Sequence, residues 1–452
     1  MLSIADALER IKGRVTDAVP EELIRQLAHE VGHRWRERDL GPVVTIHLFL
    51  QQVLYGNTAV AHLRRLSSLD FTDAAYCQAR ARLPGELFQR LQQAVTDDLR
   101  ADGDHRPQTR WHGHRTFLLD GSSFSMPDTP ALREHFGQPA SQAEGCGFPT
   151  AHLLTLFDAY RGYLLRAAAR PVDTHDMSQA AAMHAELCAG DVLVGDRAFA
   201  SYAHLALCLG RGIHGLFRAH QRQIIDFQPG RAHLPPGVSP RGQAGRPRSR
   251  WLKRLGRHDQ RVEYYKPKER PEWLTPEQYA ALPASIVVRE LRYPVRVPGY
   301  RTREVTLVTT LLDPEAYPAA ELARLYGLRW RVETDLRHLK QTMKMDVLRC
   351  ETVAGVEKEL AVFALAYNLV RRVMEEAGRR QGVEAERISF VDALRWLQEA
   401  RPGDELPELV VNPDRPGRVQ PRVRKRRPKQ YALMTRPRDQ LRKALLGQRP
   451  AA

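Results

Sequence analysis

The sequence predicts an α/β protein: a mixed sheet with flanking helices, interrupted by a β-rich insertion and preceded by a helical N-terminal domain. Three observations lead there. Residues 109–218 alternate β-branched and apolar runs with helical stretches in the order β-β-β-α-β-α-β. Residues 219–305 break that rhythm with a Pro-, Gly- and Arg-rich stretch followed by further strand-like runs. Residues 1–108 and 306–380 read as helices with short breaks, and 381–452 form a C-terminal region with a basic tail.

The elements follow in order. "PEELIRQLAHEVGHRW", "VVTIHLFLQQVLYG" and "TAVAHLRRL" are successive helices; further on, Thr72 or Asp73 is placed to cap one helix and Pro84 to open the next. Short basic helices joined by tight turns suit a helix-turn-helix-like DNA-binding module, and they suit a plain helical bundle equally. "RTFLLDGSSF" reads as a strand ending in an acid and a turn, and "AHLLTLFDAY" with "GYLLRAAARP" as a hairpin about Arg161-Gly162. "DMSQAAAMHAELC" is a helix, "DVLVGDRAF" a buried strand, "SYAHLALCLGRG" a helix and "IHGLFRA" another strand. The insertion contributes "RVEYYKP", "ASIVVRELRYPV" and "EVTLVTTLL" as strands, and from Pro318 the chain is helical to about residue 380.

Composition narrows the function. A chain of 452 residues implies two to four domains. The 69 basic against 53 acidic residues leave a formal charge of +16, which favours a polyanionic partner, nucleic acid first. Apolar runs such as "AVFALAYNLV" fall far short of the ~20 residues a membrane span needs. "MLSIADALERIKGR" has acids in place of a continuous apolar segment, so a signal peptide is not expected and the reading is cytoplasmic. Five scattered cysteines without a C-x-x-C pair argue against a disulfide framework or a zinc site. Between Asp414 and Asp439 stand ten basic residues and no acid, Arg424, Lys425, Arg426 and Arg427 among them. Such a block contacts phosphates electrostatically or serves as a solubilising tail; the interleaved Pro and Tyr favour nucleic acid.

The stretch "YGLRWRVETDLRHLK" carries the most specific pattern. On a helix turning 100° per residue, Arg329, Glu333 and Lys340 lie at roughly 300°, 340° and 320° relative to Tyr326, one stripe of four polar groups. Asp335 lies about 200° from Glu333 and points away, while Trp330, near 40°, reads as core packing. An ordinary surface face explains the Arg329–Glu333 pair, and explains Tyr326 and Lys340 less well. Two further acids join them: Asp120 at the end of the first sheet strand and Asp196 at the end of the fourth. Acids at the ends of buried strands can be simple turn or capping residues. Brought together with a third carboxylate, they can hold two hard divalent cations ~4 Å apart. His112, His114 and the "DTHDMS" stretch with Asp173, His175 and Asp176 read as loop, and Ser122 and Ser123 lack a nucleophile elbow.

Asp120, Asp196 and Glu333 in this layout resemble the ribonuclease-H-like D-D-E recombinases. The string Y-x-x-R-x-x-x-E-x-x-x-x-x-x-K, matched by Tyr326, Arg329, Glu333 and Lys340, resembles the signature of insertion-sequence transposases of family four. "DGSSF" and "GDRAF" are similar to that family's first and second acid motifs, and the β-rich insertion belongs to the pattern; the resemblance spans about residues 45–435. It implies a ribonuclease-H-like core in a cut-and-paste transposase that binds terminal inverted repeats of double-stranded DNA as a homodimer on paired ends. Asp120, Asp196 and Glu333 would hold two Mg²⁺ ions, for which Mn²⁺ can substitute, in DNA cleavage and strand transfer. Tyr326, Arg329 and Lys340 would contact DNA, as would Arg218 in "GLFRAH". In relatives a hairpin intermediate stacks a flipped base on an insertion aromatic, for which Trp251, Tyr264, Tyr265 and Trp273 are the candidates. The alternatives are a metal-dependent nuclease without strand transfer and a catalytically silent, transposase-derived DNA-binding protein.

Overall fold

The computed structural model describes residues 19–36, 38–67, 69–101, 109–139, 143, 145–172, 174, 176–236, 238, 245–295, 304–399, 404–413 and 436–447. The basic cluster Arg424, Lys425, Arg426 and Arg427 lies outside the described residues, as do Asp173 and His175.

Five helices open the described chain: α1 (Glu21–Glu30), α2 (Pro42–Leu54), α3 (Val60–Leu66), α4 (Asp73–Arg82) and α5 (Gly85–Ala101). Thr72 caps α4, its hydroxyl accepting the Ala75 N–H at 3.1 Å, and the Pro84 carbonyl takes the Leu87 N–H at the start of α5. The sheet begins with β1 (Thr116–Ser125), followed by α6 (Pro130–Phe136), a short helix that the sequence reading did not include. Then come β2 (Thr150–Asp158), β3 (Leu164–Pro171), α7 (Asp176–Met183), β4 (Val192–Gly195), α8 (Tyr202–Gly210) and β5 (His214–Arg218). The β2–β3 hairpin turns at Arg161-Gly162, where Gly162 takes a φ of +69° that favours glycine. The insertion supplies β6 (Arg250–Gly256), β7 (Asp259–Tyr265), α9 (Pro276–Ala281) and β8 (Ser285–Pro294), and β9 (Glu304–Thr309) follows. The rest is helical: α10 (Ala319–Gly327), α11 (Arg329–Arg337), a π-helical turn at His338–Thr342, α12 (Val353–Gln381), α13 (Phe390–Glu399) and α14 (Arg438–Gly447).

All nine strands join one sheet in the order β3-β2-β1-β4-β5-β9-β8-β7-β6. Only β1–β4 and β4–β5 pair in parallel, so the fold is mixed α/β with a mostly antiparallel sheet. The insertion strands therefore extend the central sheet through β9.

Strand alternation sorts the core into two layers. Leu118, Val192, Val194 and Leu216 face a cluster shared with α1, α2, α5, α11 and α12. Phe117, Leu119, Leu193 and Phe217 face the other side, against α7, α8 and the insertion residues Val262, Ile286 and Val288. Of the N-terminal helices, α1, α2 and α5 thus share one continuous core with the sheet, while Leu63 of α3 and Tyr76 of α4 pack with Leu48 and Phe71 in a smaller cluster. No helix among the described residues is long and apolar enough to cross a membrane.

Candidate active site

The site forms where the parallel part of the sheet runs out. Thr116 to Leu119 of β1 pair in register with Val192 to Gly195 of β4. Asp120 and Asp196 are the next residue on each chain, side by side at the carboxyl ends of adjacent parallel strands, a usual place for ligand sites in open α/β sheets. The expectation that Asp120 ends its strand is corrected: β1 continues to Ser125 because β2 still pairs with it, from Asp120↔Thr155 to Ser125↔Thr150. What ends beside Asp120 is β4. A glycine is needed at 195, since a Cβ there would sit 2.9 Å from the Phe199 ring. Asp196 leaves the strand and caps the 3₁₀ turn Arg197–Phe199, its Oδ1 accepting the Arg197 N–H at 2.7 Å.

Asp120 and Asp196 line one open cavity of about 370 Å³ with Ser122, Ser123 and His152. Asp120 shares the strand face of Leu118, the face covered by α11. From α11, Arg329 reaches both remaining carboxylates: its guanidinium lies 3.5 Å from Asp120 Oδ2 and 3.5 Å from Glu333 Oε1. The two carboxylates are therefore separated by no more than those two contacts plus the width of one guanidinium group. Lys340 projects from the π-helical turn and donates from Nζ to Ser122 Oγ at 3.0 Å. Arg329 and Lys340 thus face β1, while Tyr326, on α10, stands near Arg218 of β5 and Tyr293 of β8; Tyr326 and Arg329 are buried and Glu333 is exposed. Asp335 points away, as the helix geometry requires, and is buried. Trp330 departs from expectation. It is 45% exposed, not core, and its ring lies 4.5 Å from the Arg329 guanidinium. It stands one residue after Arg329, outside the stripe that α11 turns toward the sheet.

The electrostatics follow from burial and crowding. Burial raises the Asp120 carboxyl above its ordinary value, with Asp196 and Glu333 adding to the rise, while Arg329 and the Gly121 N–H oppose it. Burial also pushes the phenol of Tyr326 up to about 12, against the pull of Arg329 and Arg218. Tyr293 of β8, missed in the sequence, is pushed to about 12 in the same way, with Arg218 and Arg329 acting on it. Arg218 is the last residue of β5, close enough to act on both phenols. His152 was also missed; it sits on β2, and no local motif marks a residue that reaches the site across the sheet. Among the insertion aromatics, Tyr264 is buried and donates to Glu290 at 2.8 Å, and Tyr265 stacks on His233. Trp273 packs on the insertion-side core and Trp251 is half-buried.

Three carboxylates supply the hard oxygen donors that Mg²⁺ or Mn²⁺ takes. The Arg329 guanidinium between two of them shows that the cleft between α11 and β1 gathers positive charge at these oxygens. The residues present fit such an ion.

Comparison with known proteins agrees with this picture. A family model described as the transposase DDE domain matches residues 111–369. The chain is 26% identical over 380 residues to transposase InsG of insertion sequence element IS4 from Escherichia coli (strain K12), covering 79% of this chain and 77% of the relative. It is 24% identical over 226 residues to the putative transposase InsZ of the same organism, covering 49% of this chain and 69% of that one. Among solved structures, the piggyBac transposase in a synaptic complex with hairpin DNA covers 87% of this chain and 78% of its own at 12% identity. Its TM-score of 0.40 makes that likeness too distant to carry detail.

Proposed function

We propose, from the premise that this chain belongs to the DDE-domain transposases of insertion sequences, that it is a cut-and-paste transposase acting through Asp120, Asp196 and Glu333. The observation that carries this reading is the pairing of Asp120 and Asp196 at adjacent parallel strand ends, with Arg329 linking Asp120 to Glu333. The parallel β1–β4–β5 unit with its antiparallel β2–β3 neighbours is the ribonuclease-H-like core of this reading, and the flanking segments are its helical N-terminal DNA-binding domain, β-rich insertion and basic C-terminal region.

In this account Asp120, Asp196 and Glu333 would hold two Mg²⁺ ions, or Mn²⁺. Such ions, when bound, activate a water or hydroxyl and stabilise the leaving 3′ oxygen of a phosphodiester. The chain's own residues do the rest. Arg329 is buried with its guanidinium between Asp120 and Glu333, a cation beside the carboxylates where a phosphate oxygen would approach. Tyr326 and Arg218 flank it, and Lys340, held against Ser122, offers a second cation to the backbone of the same DNA. Asp120, raised by burial, has a carboxylate whose charge a bound cation would stabilise. The reaction is cleavage at the terminal inverted repeats followed by transfer of the freed 3′-hydroxyl to target DNA, by a homodimer holding two ends.

The test is gel-based cleavage of DNA carrying the ends that flank this chain's own gene, with Mg²⁺ and a target plasmid. End-specific cutting and joined products support transposition. Cutting without joining supports a nuclease, and binding without cutting a silent DNA-binding derivative.

A further inference from the structure

We propose that this chain carries a second metal site, separate from the carboxylates, in which His184, His204 and Cys208 bind one zinc ion. The ligand atoms of these three side chains lie within 4.8 Å of one another, and all three residues are buried. His184 Nε2 is 2.9 Å from His204 Nε2 and 3.6 Å from Cys208 Sγ. Tetrahedral zinc with Zn–N near 2.0–2.1 Å and Zn–S near 2.3 Å sets its ligands about 3.3–3.6 Å apart. The sulfur contact already fits, and the imidazole pair needs to open by a few tenths of an ångström.

The site has supporting structure of the kind zinc sites use. His204 Nδ1 lies 2.8 Å from the Phe199 carbonyl, and the carbonyl can only accept. That bond puts the proton on Nδ1 and turns the Nε2 lone pair toward the cluster, as second-shell partners of zinc-bound histidine do. Burial keeps both imidazoles neutral, the form that binds metal. Two imidazoles and a thiolate select zinc over Mg²⁺, so the site does not compete with the carboxylates for their ion. His184 also lines an open cavity of about 350 Å³, with Ser178, Arg211, Trp273 and Gln278 on its walls, from which water can supply the fourth ligand. Zinc binding would release the Cys208 proton to bulk solvent.

The consequence reaches the active site through one hydrogen bond. The ion would fasten the 3₁₀ turn His184–Glu186 to α8. Through His204 it would hold the Phe199 carbonyl, and Phe199 closes the turn that Asp196 caps. The zinc is thus structural, and it positions Asp196 without touching substrate. The competing explanation is a buried His–His hydrogen bond with Cys208 as a weak donor, which the same distances allow.

The experiment uses the full-length protein, purified without added metal, dialysed against chelator, and then titrated with zinc or Co²⁺ in excess Mg²⁺. The expected results are one tightly held zinc per chain and a thiolate-to-cobalt charge-transfer band that saturates at one equivalent. Cys208→Ala should lose that band and bind zinc at least tenfold more weakly, whereas Asp120→Asn should keep both. No band in the wild-type protein overturns the proposal. So does a band that survives in Cys208→Ala, which would come from the exposed Cys77 or Cys188. If circular dichroism shows Cys208→Ala unfolded, His184→Gln at the cavity edge, which keeps the thiol, is read by zinc affinity: binding at least tenfold weaker supports the site, and unchanged affinity overturns it.

Discussion

Glu333 and Asp335 stand two residues apart on α11 and meet opposite surroundings. The Glu333 side chain is 55% exposed and shares Arg329 with Asp120 across the open cleft. Asp335 is 5% exposed on the opposite face, where burial pushes its carboxyl up to about 7 even though Arg371 pulls it down. Two carboxylates of nearly identical chemistry thus meet different surroundings. One keeps a solvent-facing position. The other is held near neutrality against Tyr367 and the α12 face. A carboxyl in a D-D-E pattern is defined by the face it occupies, not by its place in the string.

The comparison can be broken most forcefully at the cleft. Asp196→Asn should lower end cleavage by ~10²–10³-fold, the range seen for loss of one charge-stabilising group, with near-normal DNA binding in a gel shift. Wild-type rates from that variant would detach the sheet edge from the chemistry.

The back face has a different signature. Asp335 has a folded pKa near 7 against an unfolded value near 3.8, so the folded state holds a proton that the unfolded state releases between about pH 4 and pH 7. Wild-type stability should therefore fall as pH rises through that window. Asp335→Asn should remove the fall, gaining up to ~4 kcal/mol relative to wild type at pH 8 and little at pH 4. Urea unfolding at the two pH values reads the difference; equal differences at both would mean that Asp335 is not the buried acid described.

Lys340 tests the reach of the front face. Lys340→Ala should weaken binding of end DNA about tenfold, the loss of one ~1.4 kcal/mol contact, and flatten the salt dependence by about one phosphate. The tail is tested by removing the chain after Asp414. DNA binding should survive with a shallower log–log salt slope, and an unchanged slope would leave that tail a solubilising segment.

Much of this was legible because the signals are local. An apolar run ending in an acid marked Asp120 and Asp196, and helical spacing put Tyr326, Arg329, Glu333 and Lys340 on one face and Asp335 on the other. Lys340 kept its place even though the helix widens into a π turn before it. What was not legible depends on pairing across the chain. Gly121 to Ser125 read as a turn, yet β2 holds them extended. Trp330, near 40° on the helix, read as core packing, yet it is 45% exposed beside the stripe. His152 and Tyr293 reach the site from β2 and β8, and no spacing within either strand announces that. His204 and Cys208 are an i,i+4 pair on α8, a signal that was available, but His184 joins them from twenty residues away.

The central claim is that the front face of α11 does chemistry and the back face does not. The most direct measurement sets Glu333→Gln and Asp335→Asn side by side in one assay of Mg²⁺-dependent end cleavage and one of end binding. The account predicts that both variants bind, that Asp335→Asn cuts at close to the wild-type rate, and that Glu333→Gln does not cut. Full cleavage by Glu333→Gln would contradict it.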